Sequence, residues 1–197
     1  MERRKMVPSR RKFLLDAVGL AAAAGFVSAC VDTSPLSTVP ERDRLRLQIE
    51  TDFFRELQRL RQVAPASAGL IADAIGVMMF PTVVNSNPVL GEQSGMGALR
   101  VANVFTEYYL LSVIGAAGRQ PPTRSYLFLF TTLASLNRFR ASDPGAEFDQ
   151  LSQLTIGADG RVASAAPGAP LLWLGWEGDR ILPLSAQPAF SVAALPL

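Results

Sequence analysis

One thiol, no imidazole and a scatter of carboxylates set what chemistry this chain could do. Its 197 residues hold a single cysteine, Cys30, and no histidine. That composition excludes histidine-activated nucleophiles and histidine–metal sites. Glu92 and Glu107 stand beside expected strands, and Asp143, Glu147 and Asp149 crowd an expected loop. A pair of such groups is what acid–base hydrolysis of a glycan requires. Surface carboxylates are ordinarily solvated, however, and nothing in their spacing sets a separation, so no catalytic residue is assigned and the chain is not expected to be an enzyme. Neither G-x-x-x-x-G-K-[ST] nor G-x-G-x-x-G occurs, so no nucleotide, and no other cofactor or metal, is expected.

The chemistry that the spacing does favour is acylation of Cys30. Arg3, Arg4, Lys5, Arg10, Arg11 and Lys12 precede an apolar run over residues 17–27 that is too short to span a bilayer. The run ends in Val27-Ser28-Ala29-Cys30, which resembles a bacterial lipobox: the thiol is acylated and the chain is cut before it. Arg10-Arg11, with Ser9 before and Phe13-Leu14 after, resembles a twin-arginine export signal. An ordinary secretory signal, or a buried helix with a chance cysteine, is the alternative. Charge, length and a lone cysteine behind small residues coincide in favour of the lipoprotein. The expected organisation is a signal peptide over residues 1–29, a tether over 30–40 and a domain over 41–197. The product is expected in the cell envelope, facing the periplasm from the inner or the outer membrane.

Removing the signal peptide takes away six of the 19 basic and two of the 17 acidic residues, leaving 13 and 15 and a net charge of −2. All the remaining cations are arginines, and none forms a dense run, which argues against a nucleic-acid partner. With Cys30 acylated, the domain has no thiol for a disulfide or for catalysis.

Residues 31–39 are small and polar with one proline, and they offer no apolar face to bury. Thr38, Pro40 and Glu41 then form a helix-start pattern. Leu45, Ile49, Phe53, Leu57, Leu60 and Ala64 recur at three- and four-residue spacing, the stripe of an amphipathic helix. Its other face mixes signs, with Glu50, Asp52 and Glu56 among arginines. That favours a helix packed on the domain with a solvated face, Glu56 meeting Arg59, over a membrane-surface helix. Pro65 ends the helix. Residues 68–74 make a shorter one closed by Gly76, and residues 77–80 a buried strand cut by Pro81.

Gly91, Gly95 and Gly97, alternating through an apolar stretch, indicate bulges or close backbone approach. Strand-type segments cover 103–113 and 125–130. Leu133, Leu136 and Phe139 mark a third helix, and Ala158-Asp159-Gly160-Arg161 a hairpin turn between 154–156 and Val162. Strands over 171–177, 180–184 and 190–195 complete an α+β domain with a mainly antiparallel sheet. Trp173 and Trp176 lie three apart and so point to opposite faces. One is expected in the core and the other at a ligand mouth or membrane interface.

Several of these pieces stand in a familiar order. Ala74-Ile75-Gly76-Val77-Met78-Met79-Phe80-Pro81, then Gly91, Gly95-Met96-Gly97-Ala98-Leu99, Tyr108-Tyr109, Leu129-Phe130-Thr131-Thr132, Leu136 and Phe139-Arg140 together resemble the SYLF domain family. Leu171-Leu172-Trp173-Leu174-Gly175-Trp176 with 180–184 resembles its last hairpin. Two segments depart from the family pattern: Ala116-Ala117-Gly118-Arg119-Gln120-Pro121-Pro122, and Asp143-Pro144-Gly145-Ala146-Glu147-Phe148. The resemblance implies a barrel-like antiparallel sheet with packed helices and a non-catalytic role. Eukaryotic relatives bind phosphoinositide membranes and actin, and bacterial ones are often lipoproteins of unassigned function. It favours a lipid-binding domain whose contacts, at this net charge, are apolar and insensitive to salt. The other class is an envelope scaffold with a protein partner, which would show as an exposed apolar patch on the assembled sheet or helix face.

Overall fold

The computed structural model describes residues 39–114, 122–141, 151–156, 161–164, 166, 168–183 and 188–197. These all lie in one compact unit, Leu36–Leu197. Cys30, Arg10, Arg11 and Phe13, residues 31–38 of the tether with Thr38, residues 116–121 and 143–148 of the departing segments, and the Asp159-Gly160 turn lie outside the described residues, whereas Val39 and Pro40, expected to end the tether, already belong to the first helix.

The apolar stripe forms α1 (Val39–Val63), with Ile49, Phe53, Leu57, Leu60 and the following Ala64 all buried. Fully burying a side chain of this size is worth about 1.5–3 kcal/mol, so tertiary packing rather than propensity holds the helix. Its charged face is only partly solvated. Glu56 turns inward, accepting a hydrogen bond from Trp176 Nε1 at 2.7 Å with Ser125 Oγ 3.1 Å away, and its contact with Arg59 is a loose 4.0 Å. Arg59 instead reaches Asp179 Oδ1 at 3.2 Å.

The second helix, α2 (Ser67–Asp73), does not end on Gly76. Its C-cap is Ala74, in extended conformation, and Gly76 already opens β1 (Gly76–Asn87). That strand also runs through Pro81. Its ladders with both neighbours shift register at this point, between Phe80 and Val83 on one side and Met79 and Val84 on the other. A bulge is where a strand tolerates a residue without an N–H. The Pro81 carbonyl is held by Ser125 Oγ at 2.7 Å.

β2 (Glu92–Val101) and β3 (Val104–Ile114) form a hairpin whose two-residue turn, Ala102-Asn103, has φ of 48° and 69°. Two positive φ values in a two-residue loop match the strand twist, although glycine is the usual occupant. β4 (Arg124–Phe130) precedes α3 (Leu133–Ala141). β5 (Leu151–Ile156), β6 (Val162–Ser164), β7 (Leu171–Glu177), β8 (Arg180–Ile181) and β9 (Ala189–Ala194) follow.

The strand order is β6-β5-β7-β4-β1-β2-β3-β9, with β8 added to β7. Every pairing is antiparallel except β5 with β7, which is parallel. The α+β class and mainly antiparallel sheet expected from the sequence are therefore observed, as a curled half-barrel. The curl can be read from the rings. Phe190 of β9 lies 5.1 Å from Trp173 of β7 and 5.2 Å from Phe128 of β4, although three strands separate β9 from β4 along the sheet. Val192, Leu111, Phe80 and Phe130 complete this inner core, and α3 adds Leu136 and Phe139. The opposite face carries Met79, Leu127, Leu129, Leu174 and Trp176 under α1 and α2. Trp173 and Trp176 do take opposite faces, but both faces are covered, so both rings are buried and neither stands at a mouth or interface.

Candidate functional site

The structure does not bring Glu92 and Glu107 together. Asp143, Glu147 and Asp149 lie outside the described residues. In an antiparallel ladder, directly opposed residues share a face. Glu92 opposes Ile114 and so shares the face of Leu110 and Tyr108. Glu107 opposes Leu99 on the inner face, near the other end of the hairpin. Glu107 is also engaged: Arg140 Nη2 lies 2.7 Å from Oε1, and the Tyr109 hydroxyl donates to Oε2. Among the described residues no group of His, Cys, Asp or Glu side chains is arranged to hold a metal ion.

Two adjacent tyrosines clamp the helices to β3. The Tyr108 hydroxyl donates to Glu50 of α1, and Arg46 lies over its ring at 5.8 Å. Tyr109 faces inward, and the Glu107 it holds is bound by Arg140 of α3. Burial first, then the hydrogen bond to Glu50, pushes Tyr108 up to about 12. Burial and Glu107 raise Tyr109 in the same way. Both phenols are protonated at neutral pH and act as donors, not bases. A folded-state value above the ordinary 10 means the stabilisation is complete below pH 10 and is lost as pH rises through about 12. Denaturant titrations across that window are expected to show stability falling more steeply for the wild type than for Tyr108→Phe. Parallel curves would remove the clamp's role.

Two surface features remain. The first is a cavity of about 340 Å³ bounded by the end of α1, by α2, by the start of β1 and by the β2–β3 turn. Leu57, Ile71, Ile75 and Val77 give it apolar walls, and Arg61, Arg100 and Asn103 bring polar groups to it. Arg100 is placed by aromatic packing: Phe53, Phe54 and Phe105 meet edge to face at 5.1–5.9 Å. The guanidinium lies over Phe54 at 5.1 Å. Neither arginine pairs with a carboxylate among the described residues. Arg100 Nε is buried with no hydrogen-bond partner. Sequence reasoning missed this pair; the signal was a lone cation inside the apolar run Ala98-Leu99-Arg100-Val101.

The second feature is an apolar shelf on the α1 face, at the far end of the same hairpin. Register places Ala193, Leu110 and Met96 in one row across β9, β3 and β2. Ser191, Ser112, Ser94 and Val84 form the next, and Ala189, Ile114 and Glu92 the last. Met96, Leu110, Val84 and Ile114 are 40%, 37%, 44% and 55% exposed, so large apolar side chains there meet solvent together.

No protein-family model matches the chain, and no curated protein matches it in sequence.

Proposed function

We propose that the chain is an exported lipoprotein of the cell envelope, anchored at Cys30, whose domain is a non-catalytic, SYLF-like module directed at lipid surfaces. The observation that carries the lipid-directed part is the shelf of Val84, Met96, Leu110 and Ile114, apolar and almost free of charge. A mature chain of net charge −2, counted from Cys30, gains little from anionic headgroups, so affinity has to come from apolar contact. Residues 31–38, which precede α1, extend to about 30 Å at most, which holds the domain close to the bilayer that carries the acyl chains. Tethering raises the effective concentration and makes a weak contact sufficient.

A second reading, an envelope scaffold with a protein partner, is favoured by the end of the sheet. β9 pairs only with β3 among the described residues, and an open strand edge is a template for strand addition. Co-sedimentation of the Cys30→Ser chain with vesicles separates the two. The lipid reading expects pelleting that barely changes with salt and falls several-fold in Leu110→Asp. No pelleting, with one envelope protein crosslinked through β9, would establish the scaffold instead.

A further inference from the structure

The geometry points to the cavity between α1, α2 and the β2–β3 turn as a binding site for a small anionic amphiphile, with one carboxylate or phosphate on a short apolar body. Two guanidiniums from distant parts of the chain converge on it without a carboxylate between them among the described residues. Arg61 sits in the last turn of α1, where the helix's negative end offsets about half a charge at most. No such partner serves Arg100. Its buried Nε–H has no acceptor among the described residues. Buried donors in native proteins nearly always have an acceptor. The planar arginine fork suits the two oxygens of a carboxylate or phosphate, and Phe54 beneath Arg100 holds that fork in one orientation.

The remaining walls decide what the anion is attached to. Ile71, Ile75, Val77 and Leu57 present hydrocarbon on one side, beside a polar side made by the arginines, Asn103 and backbone groups. A free inorganic anion would leave the side chains of Ile71, Ile75, Val77 and Leu57 without a partner, whereas a short alkyl chain beside the headgroup covers them. The volume of about 340 Å³ lies at the small end of ligand pockets, enough for a short chain and one headgroup. This goes beyond the membrane contact proposed above and does not rest on it. The cavity lies at the Val101–Val104 turn of the hairpin and the shelf at its Glu92–Ile114 end, so either can fail while the other stands.

Calorimetric titration of the full chain carrying Cys30→Ser tests the site with octyl phosphate, octanoate, octanol and inorganic phosphate, each below its aggregation concentration. Octyl phosphate and octanoate are expected to bind at least tenfold more tightly than octanol or inorganic phosphate. Arg61→Gln, an exposed helix-end change, should weaken octyl phosphate about tenfold, the effect of one lost charge-assisted hydrogen bond. Ala72→Phe, which fills the cavity from an exposed position on α2, should abolish binding with the melting temperature unchanged. Leu110→Asp should leave it intact. Loss of octyl phosphate binding with unaltered vesicle pelleting identifies a free amphiphile as the ligand, and loss of both identifies a bilayer headgroup. Inorganic phosphate or octanol binding as well as octyl phosphate, indifference to Ala72→Phe, or no binding by any probe overturns the proposal.

Discussion

Gly97→Ala is expected to leave the domain largely unfolded, or to lower its melting temperature by about 10 °C or more. A Cβ at Gly97 would lie 2.2 Å from the Met79 carbonyl oxygen and 2.5 Å from Phe80 Cδ1. The oxygen belongs to the neighbouring strand, where Met79 opposes Ala98, and cannot retreat without opening the β1–β2 ladder. Gly95 is in the same position, 2.3 Å from the Thr82 oxygen. Overpacking against a flexible side chain destabilises by about 1–3 kcal/mol. Against fixed backbone the effect belongs at or above that upper bound, a large part of a total near 5–15 kcal/mol. The matched control is Gly69→Ala in α2, where an added Cβ meets nothing within 4 Å. There the better helix former should stabilise by up to about 1 kcal/mol. Denaturant unfolding of the two variants should therefore move in opposite directions. A Gly97→Ala protein as stable as the wild type would mean that β1 and β2 do not approach as closely as described.

Those glycines also show what kind of information the chain displays. Their alternation signalled close backbone approach, because a missing side chain inside a strand leaves a mark in the local sequence. The α1 stripe was equally visible, since Ile49, Phe53, Leu57 and Leu60 follow the helical period and bury on that face. Features that depend on distant partners left no such mark. Pro81 looked like a strand end because proline breaks a ladder locally, yet the bulges against β2 and β4 absorb it. Glu56 looked solvated because its partners, Ser125 and Trp176, are 69 and 120 residues away. The Ala102-Asn103 turn lacks the glycine that announces a two-residue hairpin. The parallel β5–β7 pairing and the meeting of Arg61 with Arg100 are likewise products of the assembled topology.

Cys30→Ser is expected to shift the protein from the membrane to the soluble fraction, and the shelf should not prevent it. Each buried methylene of an acyl chain contributes about 0.8 kcal/mol, so two or more chains hold a protein to a bilayer almost permanently. The shelf offers only a few partly exposed side chains, Val84, Met96, Leu110 and Ile114. Among the described residues no helix is long and apolar enough to cross a membrane. The two contacts therefore differ greatly in strength, and their variants should behave asymmetrically. Leu110→Asp with Cys30 intact should stay in the membrane fraction, because the anchor dominates. Cys30→Ser with the shelf intact should be released in cells, yet still show the weak, salt-insensitive vesicle binding at high lipid concentration. Replacing Arg10 and Arg11 together by Lys should strand the precursor in the cytoplasm, whereas unaffected export would assign the general secretory route. If Cys30→Ser remained fully membrane-bound through a high-salt wash, the acyl anchor would not be what holds this protein. The proposed division, strong retention by lipid at Cys30 and weak orientation by the sheet, would then fall.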